Sequence, residues 1–402
     1  MKTIKIINLL IVAVLVIAGC APAATPVPAE PPTQAPPPAE PTKSPVEPTA
    51  APAEPTEAPA ANLADVCPNP VVIQTDWFPE GEHGAMYELV GDDYIVDTSH
   101  KFVRGSLVAS GKKTGVDVEV RTGGPAIGFQ QPIQQMYVEP DIFLAYINTN
   151  EGVFGAEDTP SVAVVAPLEI NPQIIMWDPG NYPDIKTIAD LGKTDIPILV
   201  FAGGSFIDVF VSEGIVKASQ VDTTYDGSPA RWIASGGKVA QQSFASAEPY
   251  VYQYELKDWG KPVAYQLLHD AGFQIYPQAV GVRKGDLEKY RPCLQKIVPI
   301  IQQATVDYIT NPARANAIIV DAVEKYKDFW VYSPGEAEYS AKTQRELGLV
   351  GNGPDNIIGN MDLNRVQALI DKMLAAGLDI KKDLKAEEII SNEFIDPSIG
   401  LK

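Results

Sequence analysis

The chain has 402 residues, of which 45% are hydrophobic and 20% charged, so it is long enough to bury the core of one two-lobed unit or two ordinary domains. Its 51 acidic and 31 basic residues sum to a net charge of −20, which repels phosphate backbones, so nucleic-acid binding is not expected. The three cysteines and three histidines are too scattered for the short ligand spacings of a structural zinc site, and we expect no bound metal.

The N-terminus has the pattern of an export signal. Lys2 and Lys5 precede an apolar run over residues 6–18, which is too short to span a bilayer. Residues 16–20, Val-Ile-Ala-Gly-Cys, resemble a bacterial lipobox, in which the cysteine is acylated after cleavage. We therefore predict a signal peptide over residues 1–19 and a lipid anchor at Cys20. An ordinary secretory signal with a coincidental cysteine is the alternative.

A proline-rich segment follows the signal. Residues 21–62 contain fourteen prolines and no aromatic residue, so they cannot build a core. Proline favours extended polyproline-II conformation, and residues 20–62 are predicted to be a solvated linker between the lipidated cysteine and the folded part. A ligand for an SH3-like domain is the competing interpretation of such a tract.

Residues 63–402 alternate predicted strands and helices. Strands are predicted at 71–75, 116–120, 142–147, 162–166, 174–177, 196–202, 239–244 and 278–282. Helices are predicted at 83–89, 99–110, from about 207, and at 230–235, 287–310, 312–326 and 363–376. This order predicts an α/β, two-lobed architecture. The first lobe covers about 68–180 and 280–402, with the C-terminal helical segment packing back on it, and the second covers about 181–279.

Residues directly after the predicted strands are the first candidates for a binding cleft, because ligands of open α/β sheets lie beyond the carboxyl ends of the strands. The aromatic candidates are Trp77, Phe78, Tyr87, Trp177, Tyr250 and Tyr252, and the polar candidates are Glu82, His83 and Glu248. Gly204 and Ser205 could direct free backbone N–H groups from a helix start. Core packing is the alternative for any single tryptophan, and we expect it for Trp259 and Trp330. His83 could equally be a structural histidine, and Gly204 and Ser205 a helix cap.

Cys67 and Cys293 are the thiols that remain if Cys20 is acylated. An exported domain permits a disulfide between them, and two free thiols are the alternative.

The segment over residues 75–87, Thr-Asp-Trp-Phe-Pro-Glu-Gly-Glu-His-Gly-Ala-Met-Tyr, resembles the first-strand motif of thiamine-pyrimidine-binding proteins and their pyrimidine-synthase relatives. Weaker family-like segments occur at 308–313, 359–362 and 391–395. Over residues 70–396 the chain resembles a periplasmic-type substrate-binding protein of an ABC importer. The long linker and acidic body resemble most the riboflavin-binding lipoproteins of bacterial riboflavin importers. The chain lacks the cysteine-rich motif of the synthase branch and carries an export signal, so synthase activity is not expected.

The resemblance implies a two-lobed fold of the periplasmic-binding-protein type (type II) that captures riboflavin and delivers it to an ABC permease and its ATPase. It implies a monomer without a cofactor or enzymatic activity, held by its lipid on the extracytoplasmic face of the cell membrane. A thiamine-precursor pyrimidine is the alternative ligand. An exported hydrolase using Asp76, Glu82 and His83 is the remote alternative, although the chain has neither a Gly-x-Ser-x-Gly nor a His-Glu-x-x-His motif.

Overall fold

The computed structural model describes residues 62–402. The predicted signal peptide, Cys20 and nearly all of the predicted linker lie outside the described residues. Within residues 62–402, no helix combines the length and the apolar character needed to cross a bilayer.

The first lobe is built on a seven-stranded sheet with strand order β2-β3-β4-β1-β5-β12-β6. Its strands are β1 (Val71–Gln74), β2 (Ile95–Asp97), β3 (Phe102–Ala109), β4 (Lys112–Arg121), β5 (Leu144–Ile147), β6 (Ser161–Val165) and β12 (Ala279–Arg283). β1 lies in the centre and pairs in parallel with β4 and β5. Every residue of β1 is buried, as its nearly continuous apolar sequence predicts for a central strand covered on both faces.

The second lobe is built on a five-stranded sheet with order β11-β7-β10-β8-β9. Its strands are β7 (Gln173–Trp177), β8 (Ile198–Leu199), β9 (Val221–Asp222), β10 (Ala240–Phe244) and β11 (Ala264–Leu267). β8 pairs in parallel with β9 and β10, whereas β7 is antiparallel to β10 and β11. The predicted lobe boundary at 180 therefore lies too late, because β7 already belongs to the second sheet.

Eleven α-helices connect and cover these sheets in the described part of the chain. They are α1 (Gly84–Glu88), α2 (Pro132–Val138), α3 (Thr149–Phe154), α4 (Ile188–Gly192), α5 (Ser205–Ser212), α6 (Ala230–Ser235), α7 (Glu248–Tyr250), α8 (Arg291–Thr310), α9 (Ala313–Tyr326), α10 (Pro334–Glu346) and α11 (Leu363–Ala375). Helices α8, α9 and α10 contribute to the hydrophobic core of the first sheet. Helix α11 instead places Val366 and Ile370 in the core that holds Phe206 and Phe210 of α5. The C-terminal helices thus return to the first lobe, as predicted, and α11 also reaches the second.

The prediction of a helix over residues 99–110 is wrong, because this segment forms strand β3. Its residues Val103, Gly105 and Leu107 alternate inward, and β3 pairs antiparallel with β4. The two strands meet at Ser110 and Gly111, which both have positive φ (45° and 78°), as a tight two-residue hairpin requires. The Ser-Gly pair between two β-branched runs was the available signal for this hairpin.

A disulfide joins Cys67, just before β1, to Cys293 in the first turn of α8, with a Cα–Cα distance of 4.8 Å. It closes a loop across a sequence separation of 226 residues. The segment that leads into the central strand is therefore tied covalently to the longest helix of the first lobe.

Candidate ligand-binding cleft

A cleft of about 620 Å³ lies between the two lobes. Its walls are the segments that follow parallel strands in both sheets: Asp76 and Trp77 after β1, Gly124 after β4, Asn148 after β5, Phe201 after β8 and Thr223 after β9. This is the position that the topology of open α/β sheets predicts for a ligand site. Its volume is in the range typical of small-molecule sites.

Aromatic side chains from both lobes dominate the walls. They are Trp77, Phe129, Phe154, Phe201, Phe206, Tyr225, Phe244, Phe273 and Trp330. The indole of Trp77 lies at their centre, with ring centroids 6.1 Å from Phe129, 5.9 Å from Trp330 and 6.2 Å from Phe201. Because Trp77 belongs to the first lobe and Phe201 to the second, the aromatic wall spans the cleft.

The backbone around Trp77 is held so that the indole points into the cleft. The Thr75 hydroxyl donates to the carbonyl of Arg121 at 2.8 Å, and the Gly123 amide donates to the carbonyl of Trp77 at 2.9 Å. Gly124 has a φ of +56°, and a Cβ at this position would lie 2.5 Å from Cε3 of the indole. The Gly123–Gly124 pair is therefore more than a turn, because Gly124 makes room for Trp77.

The charged side chains that line the cleft are all acidic: Asp76, Glu80, Glu151, Asp226 and Glu248. No lysine, arginine or histidine is among the described residues that line it. Burial raises the pKa of Glu80 well above its usual range, and the neighbouring carboxylates, Glu82 first, raise it further. Burial also raises the pKa of Glu151 and that of Glu248 to about 7. The cleft therefore contains several carboxyl groups and no lining base, and burial favours the protonated form of three of them.

Asp76 is fixed by two neighbours. Nε2 of His83 lies 2.8 Å from its Oδ1, and Nε2 of Gln278 donates to both of its carboxylate oxygens at 3.1 Å. Asp76, Glu80 and His83 each direct one potential metal-ligand atom to a common point, within 4.8 Å of one another. A metal-bound histidine nearly always donates its other ring N–H to a partner, yet Nδ1 of His83 is buried without one in residues 62–402. The group therefore fits a hydrogen-bonded carboxylate better than a metal centre.

Four of the residues predicted from the sequence line the cleft: Trp77, Gly204, Ser205 and Glu248. Gly204 precedes helix α5, and the hydroxyl of Ser205 accepts a hydrogen bond from Nδ2 of Asn150 in the first lobe at 3.0 Å. One carboxylate oxygen of Glu248 accepts from the Phe244 amide at 2.7 Å. These residues therefore bring groups of both lobes to the cleft.

Three other predicted residues lie directly behind the wall. Phe78 is 1% exposed and stacks on Trp330 with ring centroids 6.0 Å apart. His83 is fully buried, and its ring packs edge-on against Tyr146 at 5.2 Å. Glu82 accepts a hydrogen bond from the hydroxyl of Ser246, which belongs to the second lobe. These residues support the wall and do not line it, because the chain turns inward after Trp77.

The remaining predicted residues lie elsewhere. Tyr87 and Trp177 are buried in the two cores, and Tyr252 packs on Trp232 in a third cluster. Tyr250 contacts Tyr254 and Tyr339 outside the cleft. The prediction placed Trp177 at the cleft, but β7 runs antiparallel to β10. The first residue of β7, Gln173, therefore lines the cleft, and its last residue, Trp177, lies at the opposite edge of the sheet.

Sequence reasoning missed Phe129, Phe201, Tyr225, Gln278 and Trp330. Phe201 could have been found, since it is the next-to-last residue of the predicted strand 196–202. Trp330 was expected in the core. The structure places it in the segment between α9 and α10, where it contacts Trp77 and lines the cleft. Only the tertiary fold brings this distant segment to the site.

The architecture is the periplasmic-binding-protein fold. No protein-family model and no curated protein sequence matches the chain. Among solved structures it is similar to the periplasmic aliphatic sulphonate binding protein SsuA from Escherichia coli (TM-score 0.50, 16% identity, covering 81% of this chain and 92% of that chain). It is also similar to the ligand-binding component of an ABC-type import system from Staphylococcus aureus with zinc bound (TM-score 0.51, 10% identity, 80% and 97% covered). A protein of Bordetella bronchiseptica RB50 has a TM-score of 0.51 at 16% identity, with 81% and 96% covered. Two of these three structural neighbours are thus named as ligand-binding proteins, one of them of an ABC-type import system, and at these identities the likeness shows the fold alone.

Proposed function

We propose that this protein is the substrate-binding component of an ABC importer and captures a planar aromatic nitrogen heterocycle between its two lobes. The observation that carries the proposal is the aromatic wall, in which Trp77 of the first lobe contacts Phe201 of the second edge-on, with ring centroids 6.2 Å apart. A flat ring system that stacks on the exposed faces of such side chains gains about 0.5–1.5 kcal/mol per good stacked pair beyond the burial of its area. The protein acts at the extracytoplasmic face of the cell membrane, held there by an acylated Cys20.

Riboflavin is the first candidate ligand. Its flat ring system suits the aromatic wall, and its uncharged hydroxylated side chain can donate hydrogen bonds to the acidic and amide groups. A sulfonate or nitrate would meet five lining carboxylates and no lining base.

A thiamine-precursor pyrimidine is the second candidate. The carboxylates next to Trp77, Asp76 and Glu80, are suitable acceptors for the amino group of such a ring. The resemblance of residues 75–87 to pyrimidine-binding proteins favours the same ligand.

Contacts between the lobes explain how binding would be coupled to delivery. The Ser246 hydroxyl donates to Glu82, and Nδ2 of Asn150 donates to Ser205. A ligand that touches both walls favours the closed form by its differential affinity for that form. The closed form is then the one that the permease and its ATPase receive. No enzymatic step is proposed, since the ring hydrogen bond of His83 within residues 62–402 goes to Asp76 and to no serine or cysteine nucleophile.

The test is a titration of the mature chain carrying Cys20→Ala with riboflavin, following quenching of the flavin fluorescence. We expect Trp77→Ala to weaken binding at least tenfold. Phe129→Ala and Phe329→Ala form a matched pair, because their side chains are 63% and 65% exposed but only Phe129 lines the cleft.

Phe129→Ala should therefore weaken binding and Phe329→Ala should not. Equal effects of the two substitutions on riboflavin affinity would show that the cleft is not the binding site. Failure of both riboflavin and the pyrimidine to bind would overturn the choice of ligand class.

A further inference from the structure

The unsatisfied polar atoms in the cleft wall are all hydrogen-bond acceptors. Oε1 of Gln278, Oδ1 of Asn150 and Oε2 of Glu151 are buried and have no partner in residues 62–402. Gln278 is only 3% exposed, and its Nε2 is committed to Asp76. Because a carboxylate only accepts hydrogen bonds, this contact sets the orientation of the amide and leaves Oε1 as the free atom. A buried acceptor without a donor is costly, so the wall requires donors from its ligand.

Glu80 adds a carboxylate to this set of acceptors. It lines the cleft and is 8% exposed; its backbone carbonyl accepts from the His83 amide, but its carboxyl oxygens accept no hydrogen bond from any residue of 62–402. Its one ion-pair contact there is with Nε2 of His83 at 3.6 Å, and the same nitrogen lies closer, at 2.8 Å, to Asp76. Burial, and after it the neighbouring Glu82, Asp76, Glu248 and Glu336, raise the pKa of Glu80, so a positive charge beside it is needed to favour its ionised form. Nothing in the described cleft wall supplies the opposite charge.

We infer that the ligand presents a positively charged edge with at least two N–H donors, of the amidinium or protonated aminoheterocycle type, to Glu80 and Gln278. This inference rests on the proposed function and narrows its ligand class. A carboxylate pairs strongly with two parallel N–H donors. The indole of Trp77 beside these acceptors also favours a flat cation. Of the two candidate ligands, only an aminopyrimidine can present such an edge, so this inference favours the second candidate over riboflavin.

The test uses three planar probes of nearly equal shape that differ in charge: benzamidine, benzamide and benzoate. Binding to the mature chain with Cys20→Ala is measured by calorimetry at pH 7. We expect benzamidine to bind at least tenfold more tightly than benzamide, about 1.4 kcal/mol, and benzoate to bind most weakly. Equal binding of benzamidine and benzamide would overturn the inference.

Two isosteric variants locate the effect. Glu80→Gln should reduce the preference for benzamidine over benzamide to about one. Glu336→Gln, which replaces a buried carboxyl of the same group outside the cleft lining, should retain it. A preference that survives Glu80→Gln would overturn the role of Glu80. If Glu80→Gln does not fold, Glu151→Gln takes its place with the same expectation, because Glu151 also lines the cleft with an unpartnered oxygen.

The outcomes separate this inference from the proposed function. Binding of riboflavin without any preference for benzamidine would leave the importer function in place and refute the charged edge. Failure of riboflavin, the pyrimidine and all three probes to bind would refute both.

Discussion

At the scale of single residues, Gly124 controls how Trp77 is presented. A Cβ at Gly124 would lie 2.5 Å from the indole, whereas a Cβ at Gly128 would meet nothing within 4 Å. The two glycines have similar positive φ angles, 56° and 66°, so alanine imposes a similar backbone cost of about 1–2 kcal/mol at each. Comparing Gly124→Ala with Gly128→Ala therefore distinguishes the effect of displacing Trp77 from the effect of backbone strain.

We expect Gly124→Ala to weaken riboflavin binding at least tenfold, because the indole must move, and Gly128→Ala to leave affinity unchanged. Thermal unfolding of both variants measures their losses of stability. We expect the loss in Gly124→Ala to be at least as large as the loss in Gly128→Ala. Unchanged ligand affinity in Gly124→Ala would show that the position of the indole does not matter for binding.

At the scale of structural elements, the Cys67–Cys293 disulfide connects the segment before β1 to α8. A crosslink that closes so long a loop restricts the unfolded chain and contributes about 2–5 kcal/mol to the free energy of unfolding.

In the Cys20→Ala background, we expect a reductant to lower the urea midpoint of the protein to that of the variant carrying both Cys67→Ala and Cys293→Ala. The reductant should not affect that variant, since it contains no cysteine. Riboflavin affinity should stay constant, because neither cysteine lines the cleft. A midpoint insensitive to reductant would show that the crosslink does not contribute.

The individual elements also differ in how well the sequence alone predicts them. Buried strands such as β1 and β6, and amphipathic helices such as α9, were predictable because apolar periodicity reports burial directly. The direction of β7 was not, because periodicity is the same in parallel and antiparallel strands, and Trp177 was assigned to the wrong edge for that reason. Trp77 was predictable from its position after a central strand. Trp330 was not, because it reaches the cleft from an irregular segment between two helices.

At the scale of the whole molecule, buried carboxyls make stability depend on pH. Burial is the main cause that raises the pKa of Glu336 to about 9 and that of Glu248 to about 7. The folded state thus retains protons that the unfolded state releases above about pH 4.5. The stability that this contributes is complete below pH 4.5 and is lost as pH rises, through about 7 for Glu248 and about 9 for Glu336.

We therefore expect the melting temperature to fall between pH 5 and pH 9, and Glu336→Gln to remove a few degrees of the decrease above pH 7. Glu338→Gln is the matched control, since it neutralises an exposed glutamate of the same helix. A pH profile unchanged by Glu336→Gln would contradict the assignment of this group.

The charge of the whole protein adds to that of the cleft and predicts rejection of anionic ligands. The chain carries a net charge of −20, and the five lining carboxylates face no lining base. A phosphorylated flavin shares the ring system of riboflavin but adds negative charge, which is repelled both by the cleft and by the surrounding surface. We expect flavin mononucleotide to bind at least tenfold more weakly than riboflavin at low ionic strength. The difference should narrow as salt shortens the screening length to roughly 3 Å at 1 M, because the more distant charges are screened first. Titrations of both flavins across a salt series measure this. Equal affinity of the two at low salt would show that neither the cleft nor the surface selects against negative charge.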